Sequence, residues 1–131
     1  MSVLVVAEQS NGVAKKASLA AITFARQVSS RLGSGFSIAV LGDGAQNAAS
    51  SLAGYGAEKV YAVEGEALSN YLAMPYAAAV STVAQRAESR WVVMTGTTTG
   101  KDLLPRVAVR LSAGLASDVV SLAGDGSDIK M

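Results

Sequence analysis

Short apolar runs alternate with longer segments of helical periodicity, and this alternation limits the folds open to the chain. The first run, residues 3–7, is a continuous Val-Leu-Val-Val-Ala stretch, which is typical of a strand buried on both faces. The next segment, residues 14–32, places its apolar side chains on one helical stripe. The predicted strands are residues 3–7, 36–41, 59–63, 91–95 and 118–122, the predicted helices are residues 14–32, 45–53 and 72–87, and residues 96–113 are predicted as a loop followed by a helix.

Strands that alternate with helices predict a parallel sheet with right-handed crossover connections. We therefore predict an α/β fold in three layers, a mostly parallel sheet with helices on both faces. The length of 131 residues fits one domain. An Asp/Gly-rich turn at residues 124–128 follows the last predicted strand, and nothing after it closes the fold. We expect residues 1–131 to be a single domain cut at a linker.

The composition excludes several classes of function. The chain has no cysteine and no histidine, which rules out thiolate nucleophiles, Cys- or His-ligated metals and Ser-His-Asp chemistry. We predict neither catalytic residues nor a metal site. The 11 basic and 10 acidic residues are scattered, so we expect no nucleic-acid partner. No apolar run approaches the roughly 20 residues of a membrane helix, so we expect no membrane insertion.

The candidate site lies between Thr95 and Asp118. A predicted buried strand runs into the Gly/Thr-rich loop 96–101, and a helix with Pro105 near its start follows. A strand, a polar loop and a helix N terminus are the parts of an anion or nucleotide site in an α/β fold. The candidate nucleotide-binding residues are Thr97, Thr98, Gly100 and Lys101.

The same loop also has a purely structural interpretation. Three residues separate its glycines and Asp102 follows Lys101, whereas a P-loop has four residues between its glycines and a hydroxyl residue after the lysine. An acid at that position would repel a phosphate. The threonines would then cap the helix, and the glycines would permit a tight turn.

Other polar residues near predicted strand ends allow two interpretations each. Arg106 and Arg110 could clamp an anion, or Arg106 could pair with Asp102 at i,i+4, which is the simpler interpretation. Glu8, just past the first strand, could bind a ribose hydroxyl or cap the next turn. The Gly-Asp-Gly sequence at residues 42–44 favours a turn.

Three stretches resemble the alpha subunit of electron transfer flavoprotein. They are Leu-Val-Val-Ala-Glu at residues 4–8 followed by Asn-Gly at 11–12, Gly-Tyr-Gly-Ala-Glu-Lys-Val at 54–60, and Thr-Thr-Gly-Lys-Asp-Leu-Leu-Pro-Arg-Val-Ala at 98–108 with Ser-Asp at 117–118. The resemblance covers essentially the whole chain, and the third stretch is its most specific part.

The resemblance implies the first of two domains of the alpha subunit, with an adenine-nucleotide α-hydrolase-like or flavodoxin-like fold. It implies that FAD binds the second domain, so the family's FAD-binding residues match no position of this sequence. It also implies that AMP binds the similar beta subunit, in the loop equivalent to residues 96–101. In the alpha subunit that loop would be vestigial, and Asp102 fits the loss of its ligand.

The implied role is structural. The heterodimer of alpha and beta subunits would carry electrons on FAD from dehydrogenases, including those of fatty acid β-oxidation, to a membrane quinone reductase. This domain would be a scaffold that binds the beta subunit and would itself be redox-silent, hence not an enzyme. The expected location is the bacterial cytoplasm, or the mitochondrial matrix in a eukaryote, although no transit peptide is visible.

Two alternatives remain open from the residues. One is an adenine-nucleotide-binding regulatory domain similar to the universal stress proteins, against which Asp102 argues. The other is an enzyme of the α-hydrolase type. That enzyme would need a Ser-Gly-Gly pyrophosphate loop near the first strand, and residues 9–12, Gln-Ser-Asn-Gly, do not supply one.

Overall fold

The computed structural model describes residues 2–10, 12–65, 68, 70–87, 89–95, 97–111, 114–117 and 120–124. The helices are α1 (Lys16–Leu32), α2 (Ala45–Leu52), α3 (Ala73–Arg86) and α4 (Thr98–Leu111). The strands are β1 (Ser2–Ala7), β2 (Gln9–Ser10), β3 (Val13–Ala14), β4 (Phe36–Leu41), β5 (Val60–Val63), β6 (Ser89–Thr95), β7 (Gly114–Ser117) and β8 (Val120–Gly124). A short 3₁₀ turn, Ala53–Tyr55, follows α2.

Six strands form one sheet in the order β5-β4-β1-β6-β8-β7. The four strands β5, β4, β1 and β6 are parallel, whereas β8 runs antiparallel to β6 and β7 antiparallel to β8. Val3, Leu4 and Val5 at the centre of β1 have no exposed surface, as expected for a parallel strand covered on both faces. The predicted three-layer, mostly parallel α/β fold is confirmed.

Each face of the sheet carries its own hydrophobic core. Helices α1 and α2 cover one face, where Ile22 and Leu52 pack with alternate residues of the central strands. Helices α3 and α4 cover the other face, where Val80 and Leu104 pack with the intervening residues. Successive side chains of a strand point to opposite faces of the sheet, so each continuous apolar strand supplies residues to both cores.

The predicted fifth strand was only partly correct. It lies at Val120–Gly124 rather than at 118–122, it is antiparallel to β6, and the additional strand β7 precedes it. Only two residues separate β7 from β8, whereas a parallel pair needs a crossover of a dozen or more. The short connection therefore favours an antiparallel hairpin. Asp118 lies outside the described residues.

Helix α4 also differs from the prediction. Thr98, Thr99, Gly100 and Lys101 were expected in a loop, but they form the first turn of α4. Pro105, expected near the helix start, is instead the eighth residue of the helix. Proline has no N–H to donate to the Lys101 carbonyl, so one hydrogen bond of this helix is missing at the half-buried Pro105.

Two smaller differences concern turns and helix ends. A short antiparallel hairpin, β2–β3, forms where no strand was predicted, and Gly12 between its strands has a φ of +83°, which favours glycine. Helix α3 ends at Arg86, and Ser89 already belongs to β6. Leu72, the first residue of the predicted helix 72–87, precedes α3 and is 59% exposed.

Truncating a buried and an exposed side chain of α4 should change the free energy of unfolding by very different amounts. Leu104 has no exposed surface and Val109 is 81% exposed. Leu104→Ala should lower the free energy of unfolding by about 2–5 kcal/mol, because it leaves a cavity between α4 and the sheet. Val109→Ala, the matched control, should change it by no more than about 0.5 kcal/mol. Urea denaturation measures both, and equal effects would contradict the packing described.

Candidate functional site

The strand order reverses direction at β1, and this marks the position of a crevice. From β1 the chain moves to β4 and β5 on one side of the sheet and then returns to β6 on the other side of β1. In open α/β sheets, ligands bind outside the carboxyl ends of the strands at such a switch point. The residues that follow β1 and β6, including Glu8 and Thr97, therefore lie at the position where a site is expected.

Thr97 caps helix α4 at this position. Its Oγ1 accepts a hydrogen bond from the Gly100 N–H at 3.1 Å, and its carbonyl accepts one from the Lys101 N–H at 2.8 Å. A hydroxyl that accepts from the N–H three residues later is the usual N-cap arrangement. The capping role that the sequence allowed for these threonines is therefore present at Thr97.

Glu8 joins the loop after β1 to this cap. The Thr97 hydroxyl donates to Glu8 Oε2 at 2.7 Å. The backbone of Glu8 is fixed as well, because its N–H donates to Ser18 Oγ at 2.7 Å and its carbonyl accepts from the Lys15 N–H at 2.8 Å. A carboxylate beside the N terminus of a helix is favoured by the helix dipole. The side chain of Glu8 thus lies where an external anion would otherwise be attracted.

Gly100 brings α4 into direct contact with the end of β6. A Cβ at this buried residue would collide with the Thr95 carbonyl oxygen. The glycine therefore serves close packing between helix and strand. Of the other candidate residues, Lys101 is exposed and Thr98 begins α4, while the side chain of Thr98 and the whole of Gly96 lie outside the described part.

The space left in the crevice is small. A cavity of about 100 Å³ remains, and its polar lining comes from both central loops and from two tyrosines. The polar residues of the lining are Glu8, Gln9, Lys15, Tyr71, Tyr76 and Thr99. Ligand pockets usually measure roughly 300–1,000 Å³. The cavity could hold a few water molecules or a small group rather than a nucleotide.

Gln9 fills part of the crevice and joins the β2–β3 hairpin to the end of β4 and the loop that follows it. Its Nε2 donates to the Leu41 carbonyl at 3.1 Å and to the Asp43 carbonyl at 2.9 Å, while its Oε1 accepts from the Gly12 N–H at 2.9 Å. Gly42 lies beneath it with a φ of +105°. The predicted turn at residues 42–44 is therefore held in place by a residue that the sequence analysis did not single out.

A tyrosine pair closes the crevice from the α3 side. The rings of Tyr71 and Tyr76 meet edge to face with centroids 5.0 Å apart, and the Tyr76 hydroxyl donates to the Leu68 carbonyl at 2.8 Å. A Cβ on Gly42 would lie 2.8 Å from that hydroxyl oxygen, so glycine is also required there by space. Burial raises the pKa of Tyr76, which therefore stays a neutral donor at physiological pH.

Tyr71 is hydrogen-bonded to Asp102, which lies 31 residues further along the chain. Its hydroxyl donates to Asp102 Oδ2 at 2.6 Å, and Arg106 Nε lies 3.5 Å from Asp102 Oδ1. The hydrogen bond from Tyr71, and then the Arg106 charge, lower the pKa of Asp102. Burial, followed by the hydrogen bond to Asp102, raises the pKa of Tyr71. The i,i+4 pairing of Asp102 with Arg106 is confirmed, and Arg110 is an exposed residue on the same helix.

Possible metal ligands are not grouped in the part of the chain that the structure describes. Among residues 2–124 with the gaps given above, no three Asp or Glu side chains are grouped so that they could hold a metal ion. The helices of that part are also too short or too polar to cross a membrane. Sequence reasoning missed the roles of Gln9 and Tyr71, because their partners Leu41, Asp43 and Asp102 lie 31–34 residues away along the chain.

Comparison with known proteins decides the family. The sequence profile described as the electron transfer flavoprotein domain matches residues 3–131. The chain belongs to the electron transfer flavoprotein family. It is 34% identical over 128 residues to the electron transfer flavoprotein subunit alpha of Bacillus subtilis. It is 33% identical over 116 residues to that of Thermoanaerobacterium thermosaccharolyticum and 32% identical over 120 residues to that of Clostridium acetobutylicum.

The matches cover most of this chain but a minor part of its relatives. The three alignments include 97%, 88% and 92% of this chain, and 38%, 35% and 36% of the respective relatives. The chain therefore spans little more than a third of the length of the curated electron transfer flavoprotein subunits that it matches. The resemblance inferred from the sequence alone is confirmed at the level of the family.

The contact of Gly100 with β6 predicts that an added methyl group is harmful. In most helices Gly→Ala stabilises by about 1 kcal/mol. Gly100→Ala should instead lower the free energy of unfolding by about 1–3 kcal/mol, because α4 must move away from the Thr95 carbonyl. Gly54→Ala is the matched control, since a Cβ there meets nothing within 4 Å. Urea denaturation of both variants tests this, and a stabilised Gly100→Ala would contradict the close contact.

The Tyr71–Asp102 hydrogen bond predicts a pH dependence. In Tyr71→Phe the pKa of Asp102 should rise toward its ordinary value, as measured by NMR titration of the carboxyl carbon. Tyr55→Phe is the control and should leave the pKa of Asp102 unchanged.

The sign of the stability effect follows from the lowered pKa. The pKa of Asp102 is lower in the folded than in the unfolded chain, where it is about 3.9. The associated stabilisation is therefore present above the unfolded pKa and is lost as the pH falls through the folded pKa. The difference in the free energy of unfolding between wild type and Tyr71→Phe should become smaller below about pH 4. A difference that does not change with pH would argue against an ionised, hydrogen-bonded Asp102.

Proposed function

We propose that this chain is the N-terminal domain of an electron transfer flavoprotein alpha subunit and acts as its scaffold and beta-subunit-binding part. The observation that carries the proposal is the match of residues 3–131 to the family, together with relatives named subunit alpha. The fraction of those relatives that is covered, 35–38%, agrees with one domain of a longer subunit. Residues 1–131 would then be one structural unit within that subunit.

In this proposal the domain itself is redox-silent and not an enzyme. The chain has no cysteine or histidine. The crevice at the switch point contains the Glu8 carboxylate, the Gln9 amide and two tyrosines of the chain itself. FAD would bind the part of the subunit that these residues do not cover, and AMP would bind the beta subunit. The loop of Thr97, Thr98, Gly100 and Lys101 would be a vestigial nucleotide loop that now stabilises the fold.

The wider role follows from the family. The assembled heterodimer would take electrons from dehydrogenases, such as those of fatty acid β-oxidation, and deliver them to a quinone reductase. The flavin would supply the redox chemistry, and the protein would position it. The location would be the cytoplasm of a bacterium or the matrix of a mitochondrion.

A second candidate function is an adenine-nucleotide-binding regulatory domain similar to the universal stress proteins. The cavity beside Lys15 and Thr99 at the switch point favours it. Its volume of about 100 Å³ and the carboxylates of Glu8 and Asp102 nearby argue against it, because they leave little room and repel phosphate. We therefore rank this function below the scaffold role.

Cofactor binding by the purified chain distinguishes the two functions. We expect no visible flavin absorbance after incubation with FAD and desalting, and no calorimetric AMP binding with a Kd below about 1 mM. Stoichiometric flavin would contradict the scaffold role. Micromolar AMP binding that is weakened by Thr97→Ala and Lys101→Ala, but not by the exposed helical control Thr23→Ala, would support the regulatory domain instead.

A further inference from the structure

Strand β5 ends the sheet, and in the described part of the chain it pairs with β4 alone. The carbonyls of Lys59 and Val63 accept from the N–H groups of Ile38 and Gly42, both at 3.0 Å. In a parallel ladder every second residue faces the neighbouring strand, so Val60 and Ala62 point their N–H and C=O groups away from β4. These groups form a free hydrogen-bonding edge, which is a template for another strand.

A groove runs beside this edge on the α3 face of the sheet. It has a volume of about 480 Å³ and its floor is mostly apolar. Its walls include Tyr61 and Val63 of β5 and Ala78, Ala79, Thr82 and Arg86 of α3. The small residues of α3 create the depression, so side chains from an added strand would find space between that strand and the helix.

The charges beside the edge differ between the two faces of the sheet. Tyr61 and Val63 pack on the α3 core and Val60 on the α2 core, so side chains alternate across the sheet. Lys59 falls on the α3 side by this alternation, where Arg86 lines the groove, and both are exposed. Glu64 lies on the other side, where its carboxylate accepts from the Gln46 N–H of α2 at 3.1 Å. A strand with acidic residues on the α3 side and basic ones on the α2 side would complement both faces.

A second copy of this chain fits the edge poorly. In an antiparallel pair of strands, the backbone N–H and C=O groups of two opposed residues either point toward each other or point away from each other. If the outward backbone groups of Val60 and Ala62 are hydrogen-bonded in both copies, Val60 of one copy lies opposite Ala62 of the other. In that register Glu64 of each copy lies opposite Glu58 of the other. Two such pairs of like charge would oppose the dimer. The edge is therefore better suited to a strand of a different sequence.

We propose that the free edge of β5 and the groove beside α3 receive an extended segment of the partner subunit, which continues the sheet by one strand. This inference rests on the proposed function, which names that partner as an electron transfer flavoprotein beta subunit. The segment is apolar where it faces the groove and acidic where it meets Lys59 and Arg86. Its backbone bonds to Val60 and Ala62 supply the affinity, and the groove supplies the specificity.

Ala62→Pro tests the backbone bonds. Proline is tolerated on a sheet edge where its nitrogen faces outward, so the β4–β5 ladder keeps its hydrogen bonds. The variant loses the outward donor and should bind the purified beta subunit of the same organism at least about tenfold more weakly, measured by calorimetry. Ala62→Thr keeps the donor and should bind as the wild type does. Circular dichroism and thermal unfolding verify that each variant is folded.

Thr82→Trp tests the groove without touching the strand. Thr82 is an exposed residue of α3 whose hydroxyl donates to the Ala78 carbonyl, and tryptophan there should fill the groove and weaken binding at least about tenfold. Thr23 of α1 is the matched control, because it is exposed and makes the same bond to the Leu19 carbonyl. Thr23→Trp should leave the affinity unchanged.

The outcomes separate this inference from the proposed function. If the wild-type chain does not bind the beta subunit, the proposed function fails and the inference with it. If it binds but both Ala62→Pro and Thr82→Trp bind equally well, only the location of the interface is wrong. If light scattering shows a dimer of this chain that Ala62→Pro dissociates, a second copy occupies the edge, and the proposal is overturned.

Discussion

The hydroxyl of Thr97 makes the contact on which the organisation of the sheet's carboxyl end depends. It accepts from the Gly100 N–H and donates to the Glu8 carboxylate, so one oxygen both starts α4 and joins the loops after β1 and β6. These two strands are neighbours at the centre of the sheet. A helix that begins so soon after a buried strand needs a partner for its free N–H groups, and the cap supplies one of them. Gly100 completes the junction by allowing the helix to contact the Thr95 carbonyl.

The same contact changes what the crevice can bind. A helix N terminus attracts anions, and in many α/β proteins the anion is a ligand phosphate. Here the carboxylate of Glu8, which belongs to the chain itself, accepts from the Thr97 hydroxyl at 2.7 Å. Gln9, Tyr71 and Tyr76 then link the remaining loops to one another. These contacts favour a fixed surface over an open pocket, which is consistent with the scaffold role proposed for this member of a flavoprotein family.

The sequence predicted those parts of the fold that depend on local pattern. The apolar run of β1, the strand at residues 36–41 and the helix that ends at Leu32 followed from periodicity and turn residues, and all three are present. The helical start at Thr98 was not predicted, because two glycines and three threonines favour a loop, and tertiary packing against Thr95 overrides that preference. The antiparallel direction of β8 depends on a short hairpin whose strand β7, Gly-Leu-Ala-Ser, has weak strand propensity.

The candidate site was predictable in position but not in its contacts. The sequence predicted a strand, a polar loop and a helix start between Thr95 and Asp118, and the sheet order of the structure places the loops after β1 and β6 at a switch point. The pairing of Asp102 with Arg106 followed from their spacing on one helix. The bonds from Tyr71 to Asp102 and from Thr97 to Glu8 join residues 31 and 89 positions apart, and single-sequence patterns do not report contacts at such distances.

A double-mutant cycle between Glu8 and Thr97 tests most directly whether the chain supplies its own anion to this helix. Unfolding free energies would be measured by urea denaturation for wild type, Glu8→Ala, Thr97→Ala and the double variant. A direct hydrogen bond between the two side chains predicts a coupling energy of about 0.5–3 kcal/mol. Effects that add within about 0.3–0.5 kcal/mol would contradict it, since they would mean that the carboxylate and the cap act independently.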